Sequence, residues 1–298
     1  MKNIIRLSRP LYLLLAALTY VLGVSIAGYL GKPFHLDLFW LGLAGIILAQ
    51  ASMSLLAEVF RPANEPIIPD ETRLERKSIR DAALYVSAAA LAANAVIAFT
   101  LYLNNRLHLS SLREPQGVAY FFLALSLLIV LVYAIPPLRL LNRGFGEFLL
   151  AAHLGYVIPS IGFLFQAGEY SCLLGVIVLP LTALAFAYFI ILDFPTFASD
   201  EKYERGTLLR RLGWERAVQL HHSLILAAYL LFAAAPLSGF SFALLWPAFL
   251  TFPFAVFQIV HLRNIALGGR PNWTLLTSTA LSVFGLTAYF LTLTFWLR

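Results

Sequence analysis

Residues 172–216 read CLLGVIVLPLTALAFAYFIILDFPTFASDEKYERGTLLRRLGWER. Residues 172–192 carry no charged side chain, and about 20 apolar residues are enough for a helix to cross a bilayer. Asp193, Thr196 and Asp200 follow this apolar run, and a strongly basic segment comes directly after them. An apolar helix that ends in carboxylates beside basic residues is typical of a membrane site for metal ions and phosphate groups.

The whole chain has the composition of an integral membrane protein. Of its 298 residues, 60% are hydrophobic and 12% are charged, with a mean hydropathy of +0.82, so it could not build a water-soluble surface. The two-residue alternation of a membrane barrel is absent, which leaves helices as the spanning elements. We predict an all-α polytopic membrane protein that forms one domain over residues 1–298. Its nine predicted transmembrane helices are 11–30, 37–57, 82–104, 118–137, 146–167, 172–192, 217–238, 241–262 and 274–297.

Charged residues are distributed unevenly between the two sides of the membrane. With the N-terminus inside, 17 of the 21 Lys and Arg residues fall in inner segments, as expected when positively charged loops face the cytoplasm. Of the 15 Asp and Glu residues, 12 lie on the same side, which topology does not require. We therefore predict a multi-pass protein of the cell inner membrane, with the N-terminus and an active face on the cytoplasmic side.

Four residues are predicted to bind metal. Asp193, Thr196 and Asp200 have the i, i+3, i+7 spacing that places side chains on one helix face, and Mg²⁺ favours one or two carboxylates together with water and phosphate oxygens. We predict that Asp193 and Asp200 are catalytic and bind Mg²⁺ together with Thr196. The alternative is that they only end the helix in solvent. Glu58, at the inner end of the second predicted helix, is the fourth predicted ligand, unless it forms an interfacial ion pair with Arg61.

Four segments of the chain occur in a characteristic order: LSRPLYLLLAA (7–17), YAIPPLRLLNRGFGE (133–147), GYVIPSIGFLFQAG (155–168) and DFPTFASDEKYERGTLLRRLG (193–213). On these segments, the chain resembles the UbiA-type superfamily of intramembrane prenyltransferases over almost its whole length. Within that superfamily it is most similar to the branch that prenylates 1,4-dihydroxy-2-naphthoate in the menaquinone pathway. The resemblance implies nine helices in a UbiA-like bundle, with aspartate-rich motifs after the second and sixth helices.

The first aspartate-rich motif departs from the family pattern, which reads roughly NDxxDxxxD. The matching stretch is SLLAEVFRP (54–62), so Ser54, Leu55 and Pro62 stand where the family has Asn or Asp. Only Glu58 keeps a carboxylate there, and Thr196 replaces the middle acid of the second motif. Family members usually bind two Mg²⁺ ions across the diphosphate. The loss of acids therefore implies weaker metal binding in this chain.

The resemblance also implies a reaction and its substrate-binding residues. Family members ionise an isoprenyl diphosphate, and an electron-rich aromatic ring then attacks the allylic cation. Arginines can bind the departing diphosphate, and tyrosine rings can shield the cation. For each tyrosine the alternative is packing or an interfacial position, and for each arginine it is membrane anchoring. The predicted substrate-binding residues are Asn64, Tyr133, Arg139, Tyr156, Arg205 and Arg210.

These observations predict a membrane prenyltransferase that transfers an isoprenyl group from its diphosphate to a small aromatic quinone precursor, with Mg²⁺ as cofactor. Its predicted partners are the two substrates and the lipid bilayer. No nucleic-acid motif accompanies the pI of about 9.5, and no obligate protein partner is expected. The altered first motif favours one alternative, a non-catalytic UbiA-like protein that binds a lipid or a partner. A transporter would also fit nine helices, but the paired broken helices of transporters are not seen.

Overall fold

The computed structural model describes residues 2–68, 71–107 and 117–298. Over these ranges every regular element is helical, and nine helices are long and apolar enough to cross a membrane. The prediction of an all-α integral membrane protein is confirmed. The nine helices are α1 (Pro10–Tyr29), α2 (Leu36–Val59), α3 (Arg73–Leu107), α4 (Gly117–Ala134), α5 (Gly146–Ala167), α6 (Cys172–Asp193), α7 (Trp214–Ser238), α8 (Phe242–Ala266) and α9 (Trp273–Leu297).

The nine helices alternate in direction, so that α1, α3, α5, α7 and α9 begin at the end of the bundle where α2, α4, α6 and α8 finish. We call this end the charged end. Trp214, at the start of α7, packs edge-on against Phe194, just after α6, and against Trp273 at the start of α9. Four connections lie at this end, and two of them are named here: loop A (60–72) joins α2 to α3, and loop B (194–213) joins α6 to α7. Loop B contains two short helices, Phe197–Lys202 and Leu208–Leu212.

Helix α3 begins earlier than the hydropathy of the sequence predicts. The predicted span starts at residue 82, whereas the helix starts at Arg73. The Thr72 hydroxyl accepts a hydrogen bond from the Glu75 backbone N–H, and the Glu75 carboxylate accepts one from the Thr72 backbone N–H. This reciprocal pair is a capping box, which satisfies two of the unpaired N–H groups at a helix start. The charged segment after Thr72 is therefore helical, although it lies outside the apolar run.

Helix α1 packs against α2, α5 and α9. Two glycines let α1 and α5 approach closely. A Cβ on Gly23 of α1 would lie 1.9 Å from the Pro159 carbonyl oxygen, and one on Gly162 of α5 would lie 2.4 Å from the Tyr20 carbonyl oxygen. Small residues at such contacts are the usual means of close helix packing in membranes, where the hydrophobic effect contributes little between helices.

A buried polar network joins three of the helices that surround the site described below. His153 lies in a π-helical turn of α5, His153–Val157. Its Nε2 is 2.8 Å from the Ser126 hydroxyl of α4, and its Nδ1 is 3.0 Å from the Gln50 side-chain oxygen of α2. Buried polar groups need such partners, so these contacts favour a structural role for His153. The network fixes the relative positions of α2, α4 and α5.

Candidate active site

A cavity of about 240 Å³ lies at the charged end of the bundle. Helices α1, α2, α4, α5 and α6 line it, together with loops A and B, the connection between α4 and α5, and Arg9 just before α1. In the described part of the chain, four arginines and five carboxylates contribute to its wall. These are Arg9, Arg61, Arg139, Arg205, Glu58, Glu65, Glu147, Asp193 and Asp200.

The four predicted metal ligands, Glu58, Asp193, Thr196 and Asp200, all line this cavity. Glu58 is buried in the last turn of α2. Arg61 donates from Nε to Glu58 Oε2 over 2.6 Å and pairs with the same oxygen through a second nitrogen. Arg9 lies 3.6 Å from Glu58 Oε1. The ion pair with Arg61, which was the alternative for Glu58, is therefore present.

A chain of ion pairs connects loop A to loop B. Glu65 of loop A, which is 3% exposed, accepts hydrogen bonds from Arg61 and from Arg205 of loop B. Arg205 also donates to Asp200 Oδ1 over 2.9 Å, and the Thr196 hydroxyl donates to Asp200 Oδ2 over 2.9 Å. Burial raises the pKa of the Asp200 carboxyl, against the opposing effect of the Thr196 and Arg205 hydrogen bonds. Arg205 thus connects loop A with loop B.

Asp193 and Glu147 form a second, separate pair of carboxylates. Glu147 lies in the first turn of α5 and is 6% exposed. Its Oε1 accepts a hydrogen bond from the Leu208 backbone N–H over 3.1 Å. Asp193, at the end of α6, lines the same cavity and interacts electrostatically with Glu147. Glu147 Oε2 and Asp193 Oδ2 are both buried without a hydrogen-bond partner.

These contacts test whether the predicted residues fit two Mg²⁺ ions. Both oxygens of Glu58 and both oxygens of Asp200 already contact arginine or threonine. Among the described residues, no group of three or more His, Cys, Asp or Glu side chains is arranged around one point. Of the predicted ligands only Asp193 presents an unpartnered carboxylate oxygen. The residues therefore do not fit the two-ion arrangement that the resemblance implied, but they leave room for a single ion at Asp193.

Two of the cavity arginines adopt a strained backbone conformation. Arg9 has φ 52° and Arg139 has φ 34°, in the left-handed region that costs a residue with a Cβ roughly 1–3 kcal/mol. Arg139 follows the turn after α4, and its Nε is buried without a partner. Burial lowers the pKa of Arg139, although an arginine stays charged. The backbone here holds two guanidinium groups at the cavity despite the strain.

Aromatic rings form the apolar part of the wall. Tyr12 of α1, Tyr133 of α4 and Phe189 of α6 all line the cavity. Tyr12 and Phe189 meet edge to face with ring centroids 5.4 Å apart, and the Arg9 guanidinium lies 5.3 Å from the Tyr12 ring centroid. The face of an aromatic ring attracts a cation. This wall can therefore stabilise positive charge on an apolar group.

The structure places three predicted substrate-binding residues outside the cavity. Tyr156 packs against Phe122 at a centroid distance of 6.0 Å. Asn64 is exposed on loop A, and Arg210 donates to the Arg205 backbone carbonyl over 2.6 Å. Tyr133, Arg139 and Arg205, by contrast, do line the cavity. The sequence prediction did not include Arg9, Tyr12, Glu65 or Glu147, although Arg9, Tyr12 and Glu147 lie within the quoted segments 7–17 and 133–147.

No protein-family model and no curated protein sequence matches this chain. Solved structures match it over nearly its full length at low identity. A digeranylgeranylglyceryl phosphate synthase is 14% identical with a TM-score of 0.65, over 100% of this chain and 99% of that one. A UbiA homolog from Archaeoglobus fulgidus bound to DMAPP and Mg²⁺ is 15% identical with a TM-score of 0.62, over 98% and 99%. A UbiA homolog from Aeropyrum pernix K1 is 15% identical with a TM-score of 0.51, over 94% and 96%. The chain therefore has the fold of the UbiA-type membrane prenyltransferases.

Proposed function

We propose that this protein transfers an isoprenyl group from an isoprenyl diphosphate to a small acceptor within the membrane. One observation carries the proposal. The cavity places arginines and carboxylates against an aromatic wall, at the end of a bundle with the UbiA fold. The charged part suits a diphosphate, and the aromatic part suits an allylic chain. This combination is what a reaction that separates diphosphate from an allylic carbon requires.

In the proposed reaction, the bond between the allylic carbon and the diphosphate oxygen breaks. Arg139 binds the diphosphate through its unpartnered guanidinium nitrogen, and Arg205 is held nearby by Glu65 and Asp200. Tyr12, Tyr133 and Phe189 shield the allylic cation from water. Asp193 would hold Mg²⁺, which when bound neutralises charge on the leaving diphosphate. The acceptor's nucleophilic atom then forms the new bond to the allylic carbon, and the proton that it loses passes to the released diphosphate.

For the acceptor we propose a small aromatic quinone precursor, and 1,4-dihydroxy-2-naphthoate is the first candidate. The support is the resemblance of residues 7–17, 133–147, 155–168 and 193–213 to the menaquinone-pathway branch. A structural neighbour is a digeranylgeranylglyceryl phosphate synthase, so glycerol-phosphate acceptors belong in any test. We also propose a location in the cell inner membrane with the charged end towards the cytoplasm, which the distribution of basic residues supports.

A non-catalytic, lipid-binding protein is the second candidate, and the ion pairs of the cavity favour it. Glu58 and Asp200, two of the three remaining motif acids, are engaged by arginines. A second cavity of about 270 Å³ lies between α2, α3, α4 and α5 and is lined mainly by apolar side chains. A lipid chain in that cavity would need no chemistry at the charged end.

The test is an assay of diphosphate release by the purified full-length protein in lipid nanodiscs. Dimethylallyl, geranyl, farnesyl and geranylgeranyl diphosphates are each supplied with Mg²⁺ and with aromatic or glycerol-phosphate acceptors, and products are identified by mass spectrometry. We expect release with at least one pair, a loss of about 100-fold or more in Asp193→Asn, and no change in the exposed control Glu201→Gln. Lack of release with every pair, together with unaltered isoprenyl diphosphate binding by Asp193→Asn, would support the lipid-binding candidate instead.

A further inference from the structure

We propose that a single divalent cation binds between Glu147 of α5 and Asp193 of α6, and that Glu58 of α2 does not ligate it. This inference rests on the proposed function, because it names the residues that hold the metal for that reaction. The ligand that would act together with Asp193 is then Glu147, at the start of α5, instead of Glu58, at the end of α2. The sequence places Glu147 in the quoted segment 133–147 but gives it no role.

The first argument is the distribution of unpartnered oxygens. Glu147 Oε2 and Asp193 Oδ2 are buried, line the same cavity and lack a hydrogen-bond partner. A buried carboxylate oxygen without a partner is energetically unfavourable. Two such oxygens on neighbouring side chains indicate a ligand between them. A cation satisfies both at once.

The second argument is that the other acids are occupied. Glu58 is held by Arg61 and Arg9, and Asp200 is held by Arg205 and Thr196. A cation at Glu58 would have to displace a guanidinium group from a buried ion pair, and breaking such a pair is strongly unfavourable. At Glu147 and Asp193 no such displacement is needed. The free-energy difference favours the α5–α6 position.

The third argument concerns geometry and charge. The Leu208 backbone N–H holds Glu147 Oε1, which fixes the carboxylate and leaves Oε2 free for a ligand. Two ionised carboxylates in close contact repel each other unless a proton or cation lies between them. Mg²⁺ commonly takes one or two carboxylates and completes its coordination with water and phosphate oxygens. A pair of acids at a cavity that is also lined by arginines has the composition of such a site.

The experiment measures Mn²⁺ binding to the full-length protein in detergent, without substrate, from the loss of the free Mn²⁺ signal in electron paramagnetic resonance. We expect Glu147→Gln and Asp193→Asn each to weaken Mn²⁺ binding at least about tenfold. Glu58→Gln and the exposed control Glu201→Gln should leave it essentially unchanged. Equal weakening by Glu58→Gln, no weakening by Glu147→Gln, or no binding by the unsubstituted protein at millimolar Mn²⁺ overturns the proposal.

A second variant separates ligation from a purely structural role of Glu147. In a Cys172→Ser background, Glu147→Cys replaces the carboxylate with a thiolate, and thiolates prefer soft metals. We expect this variant to bind Cd²⁺ more tightly and Mn²⁺ more weakly than the background, whereas Glu58→Cys should show no such reversal. Unchanged metal preference in a folded Glu147→Cys protein contradicts the proposal. The binding experiment contains no substrate, so it tests the metal site independently of the reaction. A result that shows Mn²⁺ binding through Glu147 therefore holds even if no prenyl transfer is found. If the protein transfers prenyl groups but Glu147→Gln does not change its Mn²⁺ affinity, the metal assignment is wrong and the proposed function stands.

Discussion

Arg139 is the cavity arginine whose Nε is buried without a partner in the described structure. We expect Arg139→Gln to weaken isoprenyl diphosphate binding by about 1.5–3 kcal/mol, or roughly 10- to 100-fold, since it removes a charge-assisted hydrogen bond. Isothermal titration calorimetry with farnesyl diphosphate measures this. Arg270→Gln is the matched control, because Arg270 is exposed and does not line the cavity. Equal affinities for the two variants would remove Arg139 from the binding site.

The individual residues of the site show how far the sequence could predict it. The i, i+3, i+7 spacing predicted one helix face for Asp193, Thr196 and Asp200. All three line the cavity, but α6 ends at Asp193 and Asp200 belongs to the next short helix, so a turn rather than one helix face brings them together. The sequence could not show that Glu147 lies near Asp193, because helix α5 and the connection to α6, as well as α6 itself, separate the two residues along the chain. The only sequence signal was an acid in the first turn of an apolar span. Tyr156 was equally plausible by residue type, but its position on α5 turns it towards Phe122.

At the scale of the elements, the contact between α1 and α5 depends on Gly23. We expect Gly23→Ala to lower the free energy of unfolding by about 1–3 kcal/mol, because its Cβ would overlap a backbone carbonyl and force the helices apart. Gly28→Ala on the same helix is the matched control, since nothing lies within 4 Å of a Cβ there. Thermal unfolding in detergent gives the comparison. If Gly23→Ala had an unfolding midpoint as high as that of Gly28→Ala, the close contact between α1 and α5 would not contribute to stability.

The helices themselves were largely predictable because lipid imposes a minimum length of apolar sequence. The predicted and observed bounds of α1 differ by one residue at each end, 11–30 against Pro10–Tyr29. Hydropathy failed at the start of α3, where a capping box rather than apolar residues begins the helix. It also could not reveal the Glu65–Arg205 contact between loops A and B. Contacts between distant loops depend on the packing of all the helices, which apolar patterning does not specify.

For the molecule as a whole, Cys172 reports the orientation in the membrane. It is the only cysteine in the chain, is exposed, and begins α6 at the end opposite Asp193. We expect a membrane-impermeant maleimide to label Cys172 in right-side-out vesicles and not in inverted ones. The control variant Cys172→Ser with Glu201→Cys carries its thiol at the charged end and should give the reverse pattern. Labelling of Cys172 only in inverted vesicles would place the cavity on the outer side.

The near balance of opposite charges in the cavity has a consequence for selectivity. Four guanidinium groups face five carboxyl groups, so the unliganded site is close to electroneutral and exerts little long-range attraction on anions. Under the proposed function, the phosphate oxygens of a substrate would compete with the carboxylates for the N–H groups of the arginines. Each carboxylate released in this way needs a compensating positive charge, because a buried unpaired carboxylate is costly. Under the proposed function, a diphosphate would therefore bind only where a cation is also bound, and internal pairing would keep the resting site closed to polyanions in its absence.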